Sequence, residues 1–107
     1  MSFQKFTYVR SPAILKACRE IACTNCGAQD GTVCAAHSNQ AAHGKGRSIK
    51  ASDVFVASLC HSCHMELDQG AVLSRVERET LWDTCHRMTV RELVRLNLWP
   101  VKVAIPS

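Results

Sequence analysis

Two Cys-x-x-Cys pairs constrain this chain more than any other feature of its sequence. The first pair is Cys23 with Cys26 and the second is Cys60 with Cys63, and 33 residues separate them. Two intervening residues let both sulfurs of a pair turn toward one point, and four thiolates satisfy tetrahedral Zn²⁺ at about 2.3 Å each. The pairs predict one structural zinc, coordinatively closed and without a catalytic role. The alternative is four buried or oxidised cysteines.

The cellular setting is inferred from the cysteine count and the start of the chain. Seven cysteines are an odd number, and the first ten residues carry Lys5 and Arg10 without the apolar segment of a secretory signal. No stretch approaches the ~20 apolar residues of a membrane helix. We therefore expect a metal binder in the reducing cytoplasm, with no membrane association.

Local sequence signals predict a single domain over residues 1–107. We expect an irregular stretch or short strand at 1–10, a helix at 11–19, a metal knuckle at 23–27, a strand at 32–38, a basic loop at 39–52, a strand at 54–59 and a helix at 60–69 closed by Gly70. Ser74 with Glu77 and Thr89 with Glu92 match the capping-box pattern. They predict two further helices, at about 75–87 and 90–97.

The long insert between the cysteine pairs indicates the fold class. Simple zinc ribbons space their pairs by about 15–20 residues, whereas this insert can hold a whole hairpin, and the second pair begins a helix. The prediction is an α+β fold, a small treble-clef domain stabilised by a zinc on four cysteines, with additional flanking helices. Its motif core spans about 20–70 and its C-terminal helices about 74–98.

Two histidines lie inside this predicted metal frame. His37 ends the first predicted strand and His64 directly follows Cys63. If zinc clamps both segments, one imidazole can take a proton from water while the other holds a divalent metal on a scissile phosphate. Asp68 lies four residues after His64 on the same helix face, where it can complete that metal site or orient His64. Outside such a frame, His37 is more often an ordinary strand residue, and His61 on the neighbouring face is predicted to be a surface histidine.

Three segments resemble a known nuclease motif. Ala36-His37, residues 53–59 and the run from Leu59 to His64 are similar to the three elements of the HNH (ββα-metal) endonucleases, over roughly residues 13–70. The nearest resemblance is to small nucleases of lambdoid prophages, the YbcO family. It implies the ββα-metal form of the treble clef, with His37 as general base and His64 as a metal ligand. It also implies a structural Zn²⁺ on the four paired cysteines and a catalytic Mg²⁺ or Mn²⁺.

The resemblance leaves several positions open. Ala36 stands where many HNH enzymes carry an acid, and Asp53 is the candidate for the catalytic middle position, with Asn39 as the alternative. The second protein ligand of the catalytic metal is Asp68, Asp53 or His43. The function implied is a metal-dependent DNA endonuclease, encoded by a phage or prophage and acting in DNA recombination or processing. The alternative is a non-catalytic zinc module that binds DNA or protein, and a redox role for the cysteine pairs is weaker.

The distribution of basic residues bears on the expected partner. The net charge is only +4, so attraction to DNA depends on where the charges lie. Lys45, Arg47 and Lys50 accompany two glycines in the loop between the strands and are predicted to bind DNA phosphates. The arginines of the later helices are predicted to form a charged outer face, with an extension of the DNA-binding surface as the alternative: Arg75, Arg78, Arg87, Arg91 and Arg95.

Two groups of apolar residues remain. Cys18, Cys34 and Cys85 fall outside the paired pattern and are expected to be small core residues. The last helix and the residues after it carry a sizeable apolar surface, formed by Leu93, Val94, Leu96, Leu98 and Trp99. This surface is expected either to complete the core or to form a homodimer.

Overall fold

The computed structural model describes residues 8–106. Within that range the elements are α1 (Pro12–Cys18), β1 (Cys34–His37), a 3-10 turn (Ala41–His43), β2 (Val56–Leu59), α2 (His61–Gln69) and α3 (Arg75–Arg95). This is an α+β architecture of one two-stranded sheet and three helices in the described residues. The irregular stretch predicted at 1–10 lies outside them except for residues 8–10, which are in neither helix nor strand.

Helix α1 begins as its sequence predicts. The Ser11 hydroxyl accepts a hydrogen bond from the backbone N–H of Ile14 at 3.3 Å, and Pro12 occupies the first helical turn, where its missing N–H costs nothing. The helix buries Ile14, Ala17 and Cys18. It therefore forms one wall of the core that also receives the end of α3.

The hairpin is antiparallel and shorter than predicted. Cys34 pairs with Leu59 and His37 pairs with Val56, so His37 lies at the end of β1 nearest the connecting loop. The second strand begins at Val56 because the Phe55 N–H bonds to Ser52 O in a turn at 2.9 Å. All four residues of β2 are buried, since the strand is covered by the helices that follow it.

The second cysteine pair leads into α2, as predicted. Cys60 is the N-cap and Gly70 closes the helix, but Gly70 has a φ of −67° and is not left-handed. A Cβ at this position would collide with the backbone oxygen of Glu66. Glycine is needed here for space, and its conformational freedom is not used.

The two predicted C-terminal helices are one continuous helix, so that prediction is wrong. The capping box at Ser74 and Glu77 forms and starts α3. The one predicted at Thr89 does not form, because the Thr89 hydroxyl donates to Cys85 O at 2.8 Å and accepts from the Ser58 N–H at 2.9 Å. This buried hydroxyl ties α3 to β2 and leaves the helix unbroken.

Two adjoining apolar clusters form the interior. The first joins α1 and β2 to the end of α3, and it includes Leu93 and Trp99. The second lies beneath the first cysteine pair, between the hairpin, α2 and Trp82. Leu93 and Trp99 thus complete the core, while Val94 and Leu96 stay exposed. None of the described helices has the length and apolar character needed to cross a membrane.

Candidate metal centre and histidine cleft

The four paired cysteines converge on one point. Their sulfur atoms all lie within 4.8 Å of one another, and the Cys26 and Cys60 sulfurs are 3.6 Å apart. A tetrahedral site with Zn–S bonds of about 2.3 Å separates its sulfurs by about 3.8 Å. All seven cysteines are free thiols. This four-cysteine group (Cys23, Cys26, Cys60 and Cys63) can therefore hold a metal ion such as zinc, as the spacing predicts.

Local backbone geometry positions the first pair. Gly27 has a φ of +81° and its N–H bonds to Cys23 O at 2.9 Å, which closes the tight turn between the two cysteines. The N–H and the hydroxyl of Thr24 both donate to Ser58 O at 2.9 Å. Those bonds fix the knuckle against β2, and β2 leads directly into the second pair.

The thiols of the group differ in acidity. Burial alone would raise the pKa of Cys23, but the backbone N–H groups of Cys60, Cys26 and Asn25 lower it to about 6. Burial and the neighbouring sulfurs raise the pKa of Cys63 to about 12. Because thiolates this close repel one another, their joint ionisation needs a cation at the centre. By contrast, burial raises the pKa of Cys18 to about 11, as befits an inert core thiol.

His37 is held by a buried carboxylate. Its Nε2 lies 2.7 Å from Asp53 Oδ1, while Asp53 Oδ2 accepts the Ser11 N–H at 2.7 Å and the Arg10 guanidinium lies 3.4 Å away. Burial would raise the pKa of Asp53, but the bonds from His37 and Ser11 and the charge of Arg10 outweigh it and lower that pKa. Asp53, predicted as catalytic, is thus placed as an ionised group that orients His37. It does not line the cleft onto which His37 and His64 open.

His64 has protein partners on both ring nitrogens. Its Nε2 lies 3.1 Å from Asp68 Oδ2 and its Nδ1 lies 3.4 Å from Cys34 Sγ. The other oxygen of Asp68 accepts from Asn39 Nδ2 at 3.3 Å. Cys34, predicted to be a core residue, is half-buried in this contact, and burial followed by the charge of Asp68 raises its pKa. The expected pairing of His64 with Asp68 is present.

Both histidines open onto one cleft of about 370 Å³. Its walls come from β1 and the loop after it, from α2 and from the first turns of α3. Apolar side chains form part of the lining, and its polar side chains are His37, Asn39, Gln40, His64, Asp68, Arg75, Arg78 and Glu79. The structure therefore brings together the two imidazoles that the sequence singled out, with one carboxylate beside each.

Other predicted site residues lie elsewhere. Lys45, Arg47 and Lys50 are exposed in the loop between the strands, and none of them lines the cleft. His43 bonds to Ser38 Oγ at 2.7 Å and its ring is stacked on another aromatic ring. Of the three acids and bases considered as second metal ligand, the one in contact with His64 is Asp68.

The α3 residues of the cleft were not among the predicted site residues. Arg75, Arg78, Glu79 and Trp82 line it, and they recur at spacings of three, four and seven residues. That spacing places side chains on one helix face. The signal was therefore present in the sequence, although a charged outer face was the expectation for these arginines.

Comparisons of the chain with protein-family models, with curated proteins and with solved structures find no match. A functional assignment therefore depends on the chemistry of the cleft and of the four-cysteine group.

A cluster of aromatic rings supports one wall of the cleft. His43 stacks on Phe55 with centroids 4.3 Å apart, and Trp82 stacks on His86 at 4.9 Å. His86 Nδ1 donates to Val56 O at 2.9 Å, since a carbonyl oxygen can only accept. Burial lowers the pKa of both histidines below the ordinary 6.5. The folded protein therefore prefers them neutral.

Acid should weaken the fold through this cluster. The unfolded chain takes up protons near pH 6.5 while the folded chain does not, so the contribution is complete above that pH and is lost as pH falls through the lower folded pKa. Each histidine can add up to about 1.4 kcal/mol per pH unit to the slope of the free energy of unfolding against pH. Urea unfolding of the zinc-loaded protein at a series of pH values measures this slope. His86→Gln should flatten the slope and exposed His61→Gln should not; parallel curves for His86→Gln and wild type would contradict the expectation.

Proposed function

We propose that this protein is a metal-dependent DNA endonuclease of the HNH type, which hydrolyses phosphodiester bonds and carries Zn²⁺ in its four-cysteine group. One observation carries the proposal: His37 and His64 line the same cleft, and each ring is fixed by its own carboxylate. A purely structural group of four cysteines requires neither histidine. We place its action in the cytoplasm, on phage or prophage DNA during recombination or processing.

The order of the elements supports this assignment. The knuckle is followed by an antiparallel hairpin whose first strand ends at His37, and the hairpin leads into a helix with His64 in its first turn. This is the order that the ββα-metal resemblance implies. The four-cysteine group joins the knuckle to the start of that helix, so a metal there would hold the helix that carries His64 against the knuckle that precedes the hairpin.

In this proposal His37 is the general base. Asp53 Oδ1 accepts a hydrogen bond from the protonated Nε2 of His37. The other ring nitrogen, Nδ1, is then the one that can accept a proton from an attacking water. Among residues 8–106, Nδ1 of His37 has no hydrogen-bond partner. The ionised Asp53 keeps the ring in that tautomer and stabilises the imidazolium that forms. Asp53 is therefore a positioning residue.

His64 and Asp68 would hold the divalent cation. An imidazole nitrogen and a carboxylate oxygen 3.1 Å apart are suitable donors for Mn²⁺ or Mg²⁺. When bound, the cation neutralises charge on the phosphate and on the leaving oxygen. Asn39 and Cys34 keep the carboxylate and the ring in place from behind.

A second candidate is a non-catalytic module that binds DNA or protein. It is favoured because Ala36 offers no ligand before His37, and because the four-cysteine group is the only set of three or more converging metal-ligand side chains among the described residues. Incubating wild-type protein with plasmid and branched DNA in Mg²⁺ and in Mn²⁺ distinguishes the two. Nicking supports the nuclease, whereas binding without cleavage in any divalent metal supports the module.

The exposed basic loop is expected to bind DNA backbone without reading sequence. Replacing Lys45, Arg47 and Lys50 with alanine should weaken binding to every DNA sequence and reduce the salt dependence. The slope of log affinity against log salt should shrink by about 0.9 for each phosphate that is no longer neutralised. Arg91→Ala, on the exposed side of α3, is the control. An unchanged slope in the triple variant would assign backbone binding to α3 instead.

A further inference from the structure

The cleft contains a charged group besides His37 and His64. The guanidinium of Arg78 lines it and has no carboxylate partner among the described residues. Arg78 Nε donates to Leu73 O at 3.2 Å and its Nη2 donates to Gly70 O. These carbonyl contacts fix the half-buried side chain and leave the Nη1 amino group for an anion. No ion pair involving Arg78 occurs within residues 8–106. A fixed guanidinium without a balancing carboxylate is a suitable phosphate site.

Arg75 adds a second cation at the rim. Its side chain is 90 % exposed and pairs with Glu79 at 3.3 Å. An exposed pair of this kind is weak, so a phosphate can compete for the guanidinium. Arg75 and Arg78 therefore present two guanidinium groups on the same cleft as His37 and His64.

The remaining lining suits a nucleobase. Leu67 and Trp82, each 7 % exposed, line the cleft with apolar groups beside the catalytic residues. Asn39 and Gln40 each donate their amide nitrogen to a carboxylate, at 3.3 and 2.8 Å. Each keeps an amide oxygen that can accept a hydrogen bond from the edge of a base.

The size of the cleft limits what can enter. Pockets that enclose a small ligand begin at about 300 Å³, so a cleft of about 370 Å³ is large enough for one nucleotide. A base inside a duplex is stacked and paired and cannot reach apolar surface below a cleft rim.

We propose that the cleft binds one unpaired nucleotide of a DNA strand, with its phosphate on Arg78 and Arg75 and its base between the apolar lining and the amides of Asn39 and Gln40. This inference rests on the proposed nuclease function and specifies its substrate as single-stranded or branched DNA. It assigns substrate positioning to the first turns of α3, in addition to the backbone binding expected of the loop.

Fluorescence anisotropy with short labelled DNA tests the proposal. Binding is measured in buffer without added Mg²⁺ or Mn²⁺, so that no strand is cut and the four-cysteine group keeps its metal. A single strand should bind more tightly than a duplex of the same sequence, and thymidine 5′-monophosphate should compete with it. Arg78→Gln should weaken single-strand binding about tenfold and Arg75→Gln about threefold, while Arg91→Gln leaves it unchanged.

Tighter or equal binding of duplex, or wild-type affinity in Arg78→Gln, would overturn the proposal. If Arg78→Gln fails to fold because its two carbonyl bonds are absent, exposed Arg75→Gln decides alone: weaker binding supports the cleft and unchanged binding overturns it. The outcome is separable from the nuclease function. If the protein prefers single strands but cuts nothing, the nucleotide site stands and the nuclease activity is refuted. If it cuts DNA but binds duplex equally well, the activity stands and the nucleotide site is refuted.

Discussion

Cys26→Ser or Cys60→Ser is expected to leave an unfolded or insoluble chain. Structural Zn²⁺ in small domains contributes about 10–16 kcal/mol on binding, and whole domains are stable by only about 5–15 kcal/mol. The described part of this chain divides its apolar residues between two modest clusters, and the second lies directly beneath the four-cysteine group. Removing one thiolate should therefore cost most of the free energy of unfolding. Elemental analysis, circular dichroism and thermal melting measure the result.

The matched control for this experiment is Cys34→Ser. Cys34 is half-buried and contacts His64, but its sulfur is not part of the four-cysteine group. The control variant should keep one metal ion per chain and a melting temperature near that of the wild type. A Cys26→Ser/Cys60→Ser double variant that stays folded and soluble without metal would refute a structural role for the group.

Features set by short spacings could be predicted from the sequence. The two cysteine pairs, the Ser11 cap of α1 and the Ser74 capping box depend on contacts within four residues, and all three are present in the structure. The same local rule failed at Thr89. A threonine hydroxyl can cap a helix or bond to the preceding turn, and the choice here is made by Ser58, which lies 31 residues away.

The predicted site was incomplete because several of its contacts join residues that are far apart in the sequence. The sequence singled out His37 and His64, because each is tied to a cysteine pair or to the end of a strand. It did not reveal that Asp53 would orient His37, since that contact depends on how the intervening loop returns to α1. The place of Arg78 in the cleft depends likewise on the turn between α2 and α3, where it binds two carbonyl groups.

Replacing His37 and replacing His64 should each reduce cleavage, but for different reasons. His37→Ala should keep the fold, the metal of the four-cysteine group and divalent-metal binding, yet lose about 10²–10⁴-fold in cleavage rate, the usual contribution of a general base. His37→Gln is the matched control for packing, because its amide can still donate to the buried Asp53 while no base is present. Both variants should lose activity to a similar degree, and raising the pH should partly restore it as hydroxide replaces the missing base.

His64→Ala should instead lose activity through metal affinity. The variant should keep the metal of the four-cysteine group but bind Mn²⁺ or Mg²⁺ much more weakly, because only Asp68 of the pair remains. Excess Mn²⁺ should then restore part of its activity by mass action, and the same excess should not rescue His37→Ala. Plasmid nicking over a metal and pH series, with calorimetry for metal binding, separates the two losses. Identical metal and pH responses in both variants would mean that the imidazoles do not divide the chemistry, and the assignment of base and metal ligand would have to be abandoned.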